Sequence, residues 1–108
     1  MYRKWDIVLA SFPFTDLSGS KVRPVLVISN NSYKGDVITI FISSVRNKVQ
    51  DYCVGIKSDN KNGLKNNSFI KCNKIATLDR KMVLGELGKL EESRHSEVLD
   101  NLKRVFEL

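Results

Sequence analysis

The chain has 108 residues, of which 42% are hydrophobic and 28% are charged, and its formal net charge is +6 at pH 7. This length predicts one domain over residues 1-108 with a small core, which a homodimer would enlarge. No apolar run approaches the roughly 20 residues of a membrane helix, and the basic N-terminus lacks the cleavage pattern of a signal peptide. We therefore expect a cytoplasmic protein that makes no membrane contact.

The chain is organised around two apolar, β-branched runs at residues 21–29 and 36–44, which are separated by a turn. A loop of about ten residues joins the first of them to an earlier strand, predicted at residues 5–11. If the two runs pair as an antiparallel hairpin, the start of one lies beside the end of the other. This arrangement brings Arg23, which precedes a proline, towards the hydroxyls of Ser43 and Ser44.

Beyond the hairpin the pattern predicts two more strands with a mobile basic loop between them, then a turn or single helical turn, an extended segment and a helix. In chain order these are residues 52–57 (strand), 58–67 (loop), 68–75 (strand), 77–80 (turn), 82–90 (extended) and 94–108 (helix). The apolar residues of 68–75 fall on both faces, which suggests that one face meets an interface. Ser93 is the predicted N-cap of the helix.

Positive charge is concentrated in residues 46–75, which contain six lysines but only two aspartates. Such clustering favours a polyanionic partner. The two cysteines, Cys53 and Cys72, lie in apolar strand patterns and are predicted to be buried thiols rather than a disulfide or a metal site. We expect neither a metal nor a cofactor.

Several kinds of chemistry lack the residues that they need. The single histidine, His95, cannot supply the paired acid and base of a histidine nuclease, and its position excludes a triad with Ser43. Arg23 remains as the group of chemical interest. A guanidinium keeps its charge and presents a fork of donors, so it suits phosphate binding and transition-state stabilisation better than proton abstraction.

A series of short motifs, in order along nearly the whole chain, resembles the PemK/MazF family of toxin-antitoxin growth inhibitors. The motifs are WDIVL (5–9), FPFTD (12–16), GSK (19–21), RPVLVIS (23–29), ISS (42–44), IATLD (75–79) and LGKL (87–90). The resemblance implies a mainly β fold with a C-terminal helix, of the SH3-like barrel type found in plasmid maintenance toxins. It also implies a homodimer that cleaves single-stranded RNA at specific sequences without a metal and is inhibited by a cognate acidic antitoxin.

The same resemblance assigns roles to individual residues. Arg23 matches the arginine of the family's Arg-Pro motif, and Ser43 matches the hydroxyl residue that ends the next strand, so these two are the predicted catalytic residues. The predicted substrate-binding residues are polar or charged and lie near this pair or in the basic segment: Asp16, Lys21, Ser44, Lys57, Lys61, Lys65, Lys71 and Asn73. The group that accepts the proton is not assigned.

The chain departs from the family pattern at two places. Trp5 stands where the family usually has glycine, so the first strand must begin differently or Trp5 must cover apolar surface. One branch has Arg-Cys-Asp where this chain has Lys71-Cys72-Asn73, and an asparagine cannot act as a general base. Two alternatives stay open: a non-catalytic toxin of the same fold that binds a protein such as DNA gyrase, and an inactive regulatory member.

Overall fold

The computed structural model describes residues 2–12, 21–30, 35–45 and 51–108. Within these ranges the chain forms six strands, two single-turn 3-10 helices and one α-helix. The strands and the helix are β1 (Asp6–Phe12), β2 (Lys21–Val27), β3 (Asp36–Ser43), β4 (Cys53–Ile56), β5 (Ser68–Asp79), β6 (Val83–Lys89) and α1 (His95–Phe106).

The six strands form one antiparallel sheet in the order β4-β5-β3-β2-β1-β6. The predicted β2-β3 hairpin is confirmed, as are the mainly β fold and the C-terminal helix. Within the described residues β4 and β6 do not pair with each other, so the sheet is not closed. It curls nonetheless, because Leu78 of β5 and Val83 of β6 pack in the same apolar cluster although three strands separate them.

Alternation along the strands divides the buried side chains between two clusters. Ile7 and Leu26 belong to the first cluster, which α1 covers through Val98. Val8 and Val25 point to the other face and belong to the second cluster. All five side chains are fully buried, and burial of each stabilises the fold by about 1.5–3 kcal/mol.

Strand β5 is longer and more irregular than the sequence predicts. Ile40 pairs with Ile75, but the next residue of β3, Phe41, pairs with Lys71. Residues 72–74 are therefore extra on β5, and the strand bends there. This irregularity explains why the apolar residues of 68–75 fall on both faces. The turn predicted at 77–80 is wrong for its first three residues, since β5 continues to Asp79 and a 3-10 turn follows at Arg80–Met82.

The C-terminal helix is confirmed, but its predicted N-cap is wrong. Ser93 lies inside a 3-10 turn, Glu92–Arg94, and α1 begins after Arg94 without a side-chain cap. An ion pair between Arg94 and Glu97 at 2.9 Å lies across the first turn. The helix buries a narrow stripe, because Val98 is enclosed whereas 56% of the surface of Phe106 is exposed.

The basic loop between β4 and β5 is anchored, so its predicted mobility is wrong. Asn62 is 6% exposed, and its side chain accepts from the N–H groups of Asp59 (3.1 Å) and Leu64 (3.0 Å) and donates to the Lys57 carbonyl (2.8 Å). Leu64 joins the first core cluster. In the other loop, predicted at 12–21, residues 13–20 lie outside the described residues.

The start of β1 is held to the start of α1. Trp5 stacks on His95 with the ring centroids 3.9 Å apart, and its backbone N–H donates to the Val27 carbonyl while its own carbonyl accepts from Leu90. The φ of Trp5 is +79°, a value that glycine adopts most easily. The tryptophan thus takes a backbone conformation suited to the glycine that the family usually has there, and its ring covers apolar surface.

Candidate active site

The predicted catalytic pair lies where the β2-β3 ladder stops. The last paired residues are Val25 and Phe41, and Pro24, which has no N–H to donate, follows at the end of the ladder. Carrying the same register two residues further sets Arg23 opposite Ser43. Arg23 remains part of the sheet on its other side, where it pairs with Ala10 of β1.

Arg23 and Ser43 line one open cavity of about 570 Å³. The cavity lies between the ends of β2 and β3 and the β4-β5 loop, and it is amphipathic. Its polar and charged lining comes from Arg23, Ser43, Ser44, Lys65, Asn66 and Ser68. Its apolar lining comes from Leu9, Val22, Pro24, Ile42, Val45, Leu64 and Leu87.

The two side chains differ in how firmly they are held. Ser43 is only 8% exposed, and its Oγ accepts from the Val45 N–H at 3.1 Å, which orients the side chain. A hydroxyl that accepts one bond still has its proton to donate. Arg23 is exposed, and its Nη1 donates to the Val22 carbonyl at 3.2 Å. A guanidinium presents its N–H donors as a planar fork, a geometry that matches the oxygens of a phosphate.

The β4-β5 loop supplies the other wall of the cavity, and its anchoring positions Lys65. Gly63 has a φ of +69° and lies so close to β6 that an added Cβ would be 2.2 Å from the Leu87 carbonyl oxygen. A bond from the Lys89 N–H to the Lys61 carbonyl (2.9 Å) ties the loop to the same strand. Lys65 is therefore brought to the cavity by contacts that precede it in the loop.

Five other predicted substrate-binding residues lie in the described part of the chain, and none of them lines the cavity. Lys21 is exposed at the first position of β2, Lys57 follows β4, and Lys61 lies in the loop without lining the cavity. Lys71 is 8% exposed and is paired across the sheet with Phe41 and with Cys53. Asn73 is exposed on the extra segment of β5. Asp16 lies outside the described residues.

Charge is unevenly distributed along the sheet. Arg23, Lys21 of β2 and Lys57, which follows β4, belong to the end that carries the cavity, whereas the acidic residues of β3 and β5, Asp36 and Asp79, pair with each other at the opposite end. The cations near the cavity would attract a polyanion.

Sequence analysis missed three polar or aromatic residues near this site. Asn66 and Ser68 line the cavity, and the Ser68 hydroxyl donates to the Asn66 carbonyl at 2.8 Å. Phe69 is the cross-strand partner of Ser43. Strand pairing identifies Ser68 and Phe69, and the docking of the β4-β5 loop identifies Asn66, but single-sequence periodicity provides neither.

Other reactive side chains are unsuited to act here. His95 stacks on Trp5, and its Nε2 lies 3.0 Å from the Leu90 carbonyl, to which it donates. Both cysteines are free, and burial, followed by the nearby Cys53 and Glu97, raises the pKa of the Cys72 thiol to about 12. Cys72 is therefore protonated, and hence a poor nucleophile, at neutral pH.

Metal binding, and membrane crossing by a helix, have no candidate group or segment among the described residues. No group of three histidine, cysteine, aspartate or glutamate residues there could hold a metal ion. No helix among them has the length and apolar character needed to cross a membrane.

Solved structures of toxins share this fold at low sequence identity. MazF from Deinococcus radiodurans superposes with a TM-score of 0.80 at 19% identity, covering 99% of this chain and 97% of that one. An endoribonuclease in complex with its cognate antitoxin, from a mycobacterial species, gives 0.78 at 17%, covering 100% and 97%. The Mycobacterium tuberculosis toxin MazF-mt6 gives 0.74 at 18%, covering 94% and 97%.

None of the curated protein sequences matches the chain. The sequence model of the PemK-like, MazF-like toxins of type II toxin-antitoxin systems, by contrast, matches residues 3–106. That match includes all six strands and the whole of α1. The chain therefore belongs to the PemK-like, MazF-like toxin family of type II toxin-antitoxin systems.

Proposed function

We propose that this toxin is a metal-independent endoribonuclease that inhibits growth by cleaving single-stranded mRNA at specific sequences in the cytoplasm. One observation carries the proposal: Arg23 and Ser43 line the same cavity at the cationic end of the sheet. A persistent cation and a buried, oriented hydroxyl are suited to a phosphodiester whose charge increases in the transition state.

In the proposed reaction the nucleophile belongs to the substrate. The 2′-oxygen attacks the adjacent phosphorus, the bond from phosphorus to the 5′-oxygen breaks, and the proton of the 2′-hydroxyl ends on the leaving 5′-oxygen. The products are a 2′,3′-cyclic phosphate and a 5′-hydroxyl. Ser43 donates to a reacting oxygen, and Arg23 neutralises the developing negative charge.

The remaining predicted residues bind RNA rather than react with it. Lys65 and Ser44 contact the phosphate inside the cavity, and Lys21, Lys57 and Lys61 contact phosphates along the strand outside it. Because phosphate contacts release counterions, RNA affinity should fall steeply as salt concentration rises. Sequence choice depends on the loops that face the bases.

A cognate antitoxin is the second proposed partner. One of the structural neighbours is an endoribonuclease in complex with its cognate antitoxin, and others are MazE-MazF structures from Deinococcus radiodurans. With its net charge of +6, this toxin suits an acidic, partly disordered antitoxin segment that folds on contact and covers the Arg23 side of the sheet.

The test is incubation of the purified protein with defined RNA in the presence of EDTA. We expect cleavage that persists in the chelator, a 2′,3′-cyclic phosphate and a 5′-hydroxyl at the cut, and no cleavage when the scissile nucleotide is 2′-deoxy. Metal-dependent cleavage would contradict the mechanism. Growth inhibition without any RNA cleavage would instead identify a toxin that acts by binding a protein target.

A further inference from the structure

Phe69 lies on the sheet beside the predicted catalytic pair. Its cross-strand partners are Ser43 on β3 and Gly55 on β4. Because Gly55 has no side chain, the backbone of β4 is bare at this point, and a Cβ added there would lie 3.7 Å from the Phe69 ring. The ring therefore lies against the bare β4 backbone, and Ser43 is the partner of Phe69 on the other side of β5.

Phe69 has no part in the core that the described residues form. It is half-buried, and neither apolar cluster includes it among its buried or its packed residues. The other face of the same strand differs, because the neighbouring Ile70 is fully buried in the first cluster. An aromatic side chain at this position thus contributes little to the core, and its partly open ring is available to a ligand.

Several cations lie near Phe69, at the end of the sheet that carries the cavity. Strand alternation places Lys71, two residues along β5 and 8% exposed, on the same face. The exposed Lys57 follows the end of β4, two residues beyond Gly55. Arg23 follows on the far side of Ser43. Within the described parts of β2, β4 and the first half of β5 no carboxylate interrupts this face. A partly exposed aromatic ring with cations near it is typical of surfaces that bind single-stranded nucleic acid.

We propose that Phe69 is the stacking platform for an RNA base next to the scissile phosphate. The inference rests on the proposed RNA cleavage and deepens it by naming the residue that sets the position of the strand. Directly opposed side chains in an antiparallel pair are about 5 Å apart at Cβ. A base stacked on Phe69 therefore delivers its adjacent phosphate to Ser43 and Arg23, while the exposed Lys57 lies beside the RNA backbone.

The experiment uses the full chain and an RNA whose cleavage site has been mapped with the wild-type protein. A 2′-deoxy nucleotide at the scissile position keeps this RNA intact, and 2-aminopurine, whose fluorescence falls on stacking, replaces one flanking base at a time. For Phe69→Leu we expect roughly tenfold weaker binding or more, loss of the fluorescence change at one position, and a raised KM with little change in kcat. Phe69→Tyr should retain all three properties.

Phe106→Leu is the matched control, because it makes the same substitution at a phenylalanine that is exposed on α1. It should leave binding and cleavage unchanged, and circular dichroism should show that every variant is folded. Wild-type cleavage with an equal KM for Phe69→Leu would overturn the inference and leave the proposed function intact. A wild-type protein that neither binds nor cuts RNA would overturn both. A shift of Phe69→Leu towards lower mass in light scattering, with RNA affinity unchanged, would show that Phe69 serves a contact between copies instead.

Discussion

Arg23 reaches the cavity because of the residue that follows it. Pro24 cannot donate to a ladder, and the pairing of β2 with β3 ends next to it at Val25. The β2-β3 ladder does not extend to Arg23 and Ser43, and both residues line the cavity beyond its end. Ser43 is oriented by a bond to the Val45 N–H, whereas Arg23 is exposed and can adjust to a phosphate.

Replacement of the Arg23 side chain should slow RNA cleavage strongly. Arg23→Ala should cost about 3 kcal/mol of transition-state stabilisation, a loss of roughly 10²-fold or more in kcat/KM, because no cation then neutralises the developing charge. Ser43→Ala should act in the same direction but less strongly, since a neutral hydroxyl offers less than a cation. Single-turnover cleavage of a mapped RNA measures both effects.

Arg80→Ala is the control for this experiment. It removes the same charge from an exposed position next to Asp79, at the opposite end of the sheet, and it should leave cleavage nearly unchanged. Both arginine variants should remain folded by circular dichroism, because both side chains are exposed. An Arg23→Ala protein that is folded and cuts at the wild-type rate would remove Arg23 from the mechanism.

The β4-β5 loop is positioned by contacts that involve backbone and small residues. Gly63 lies in the left-handed region against β6, and Gly88 approaches the loop so closely that an added Cβ would be 2.1 Å from the Lys61 carbonyl oxygen. The buried Asn62 side chain completes this arrangement with three hydrogen bonds. The loop is consequently a fixed wall of the cavity.

Alanine substitutions at the glycines of this region test that conclusion. Gly63→Ala should destabilise the protein by about 2 kcal/mol or more, because both the positive φ and the Leu87 carbonyl oppose a Cβ. Gly85→Ala is the matched control on β6, since nothing lies within 4 Å of the added Cβ, and it should change stability by about 0.5 kcal/mol or less. Urea denaturation measures the difference. Equal stabilities for the two variants would show that the loop is not docked on β6.

The contrast between the hairpin and this loop shows how far the sequence alone could predict the site. The β2 and β3 runs are β-branched and continuous, so their pairing, and with it the approach of Arg23 to Ser43, follows from the pattern. Residues 58–67 lack apolar periodicity, and they are anchored by hydrogen bonds to the Asp59 and Asn62 side chains, by the burial of Leu64 and by close backbone approaches to β6. The strand bend at residues 72–74 could not be predicted either, because it depends on the register of β5 against β3, which is distant in sequence.

Apolar surface remains exposed beside the cavity. Val22 is 45% exposed and Val45 is 47% exposed, and both line the cavity. A second copy of the chain packed along this rim would bury them and would extend the cavity into a groove shared by two subunits. A core of this size benefits from such additional burial.

We therefore predict a homodimer whose RNA groove follows the contact between subunits. Light scattering at micromolar concentration should give twice the chain mass of 12.3 kDa. Val22→Glu should shift the mass towards that of one chain by placing a charge in the contact, whereas Leu84→Glu, on an exposed residue of β6, should not. A monomeric wild-type protein would count against both the dimer and the shared groove.

The neighbour relations of β1 govern when the molecule can assemble during synthesis. This strand pairs with β2, which follows it directly in sequence, and with β6, which is more than seventy residues later. Trp5, just before β1, likewise contacts Leu90 and His95. Contacts between such distant segments form late, because the intervening chain must be closed into a loop and must first have left the ribosome. In a partly translated chain that lacks β6, β1 therefore has no partner on its outer edge. We expect the protein to become harmful only once β6 and the chain up to His95 have emerged, on the order of seconds after the Arg23 strand is made.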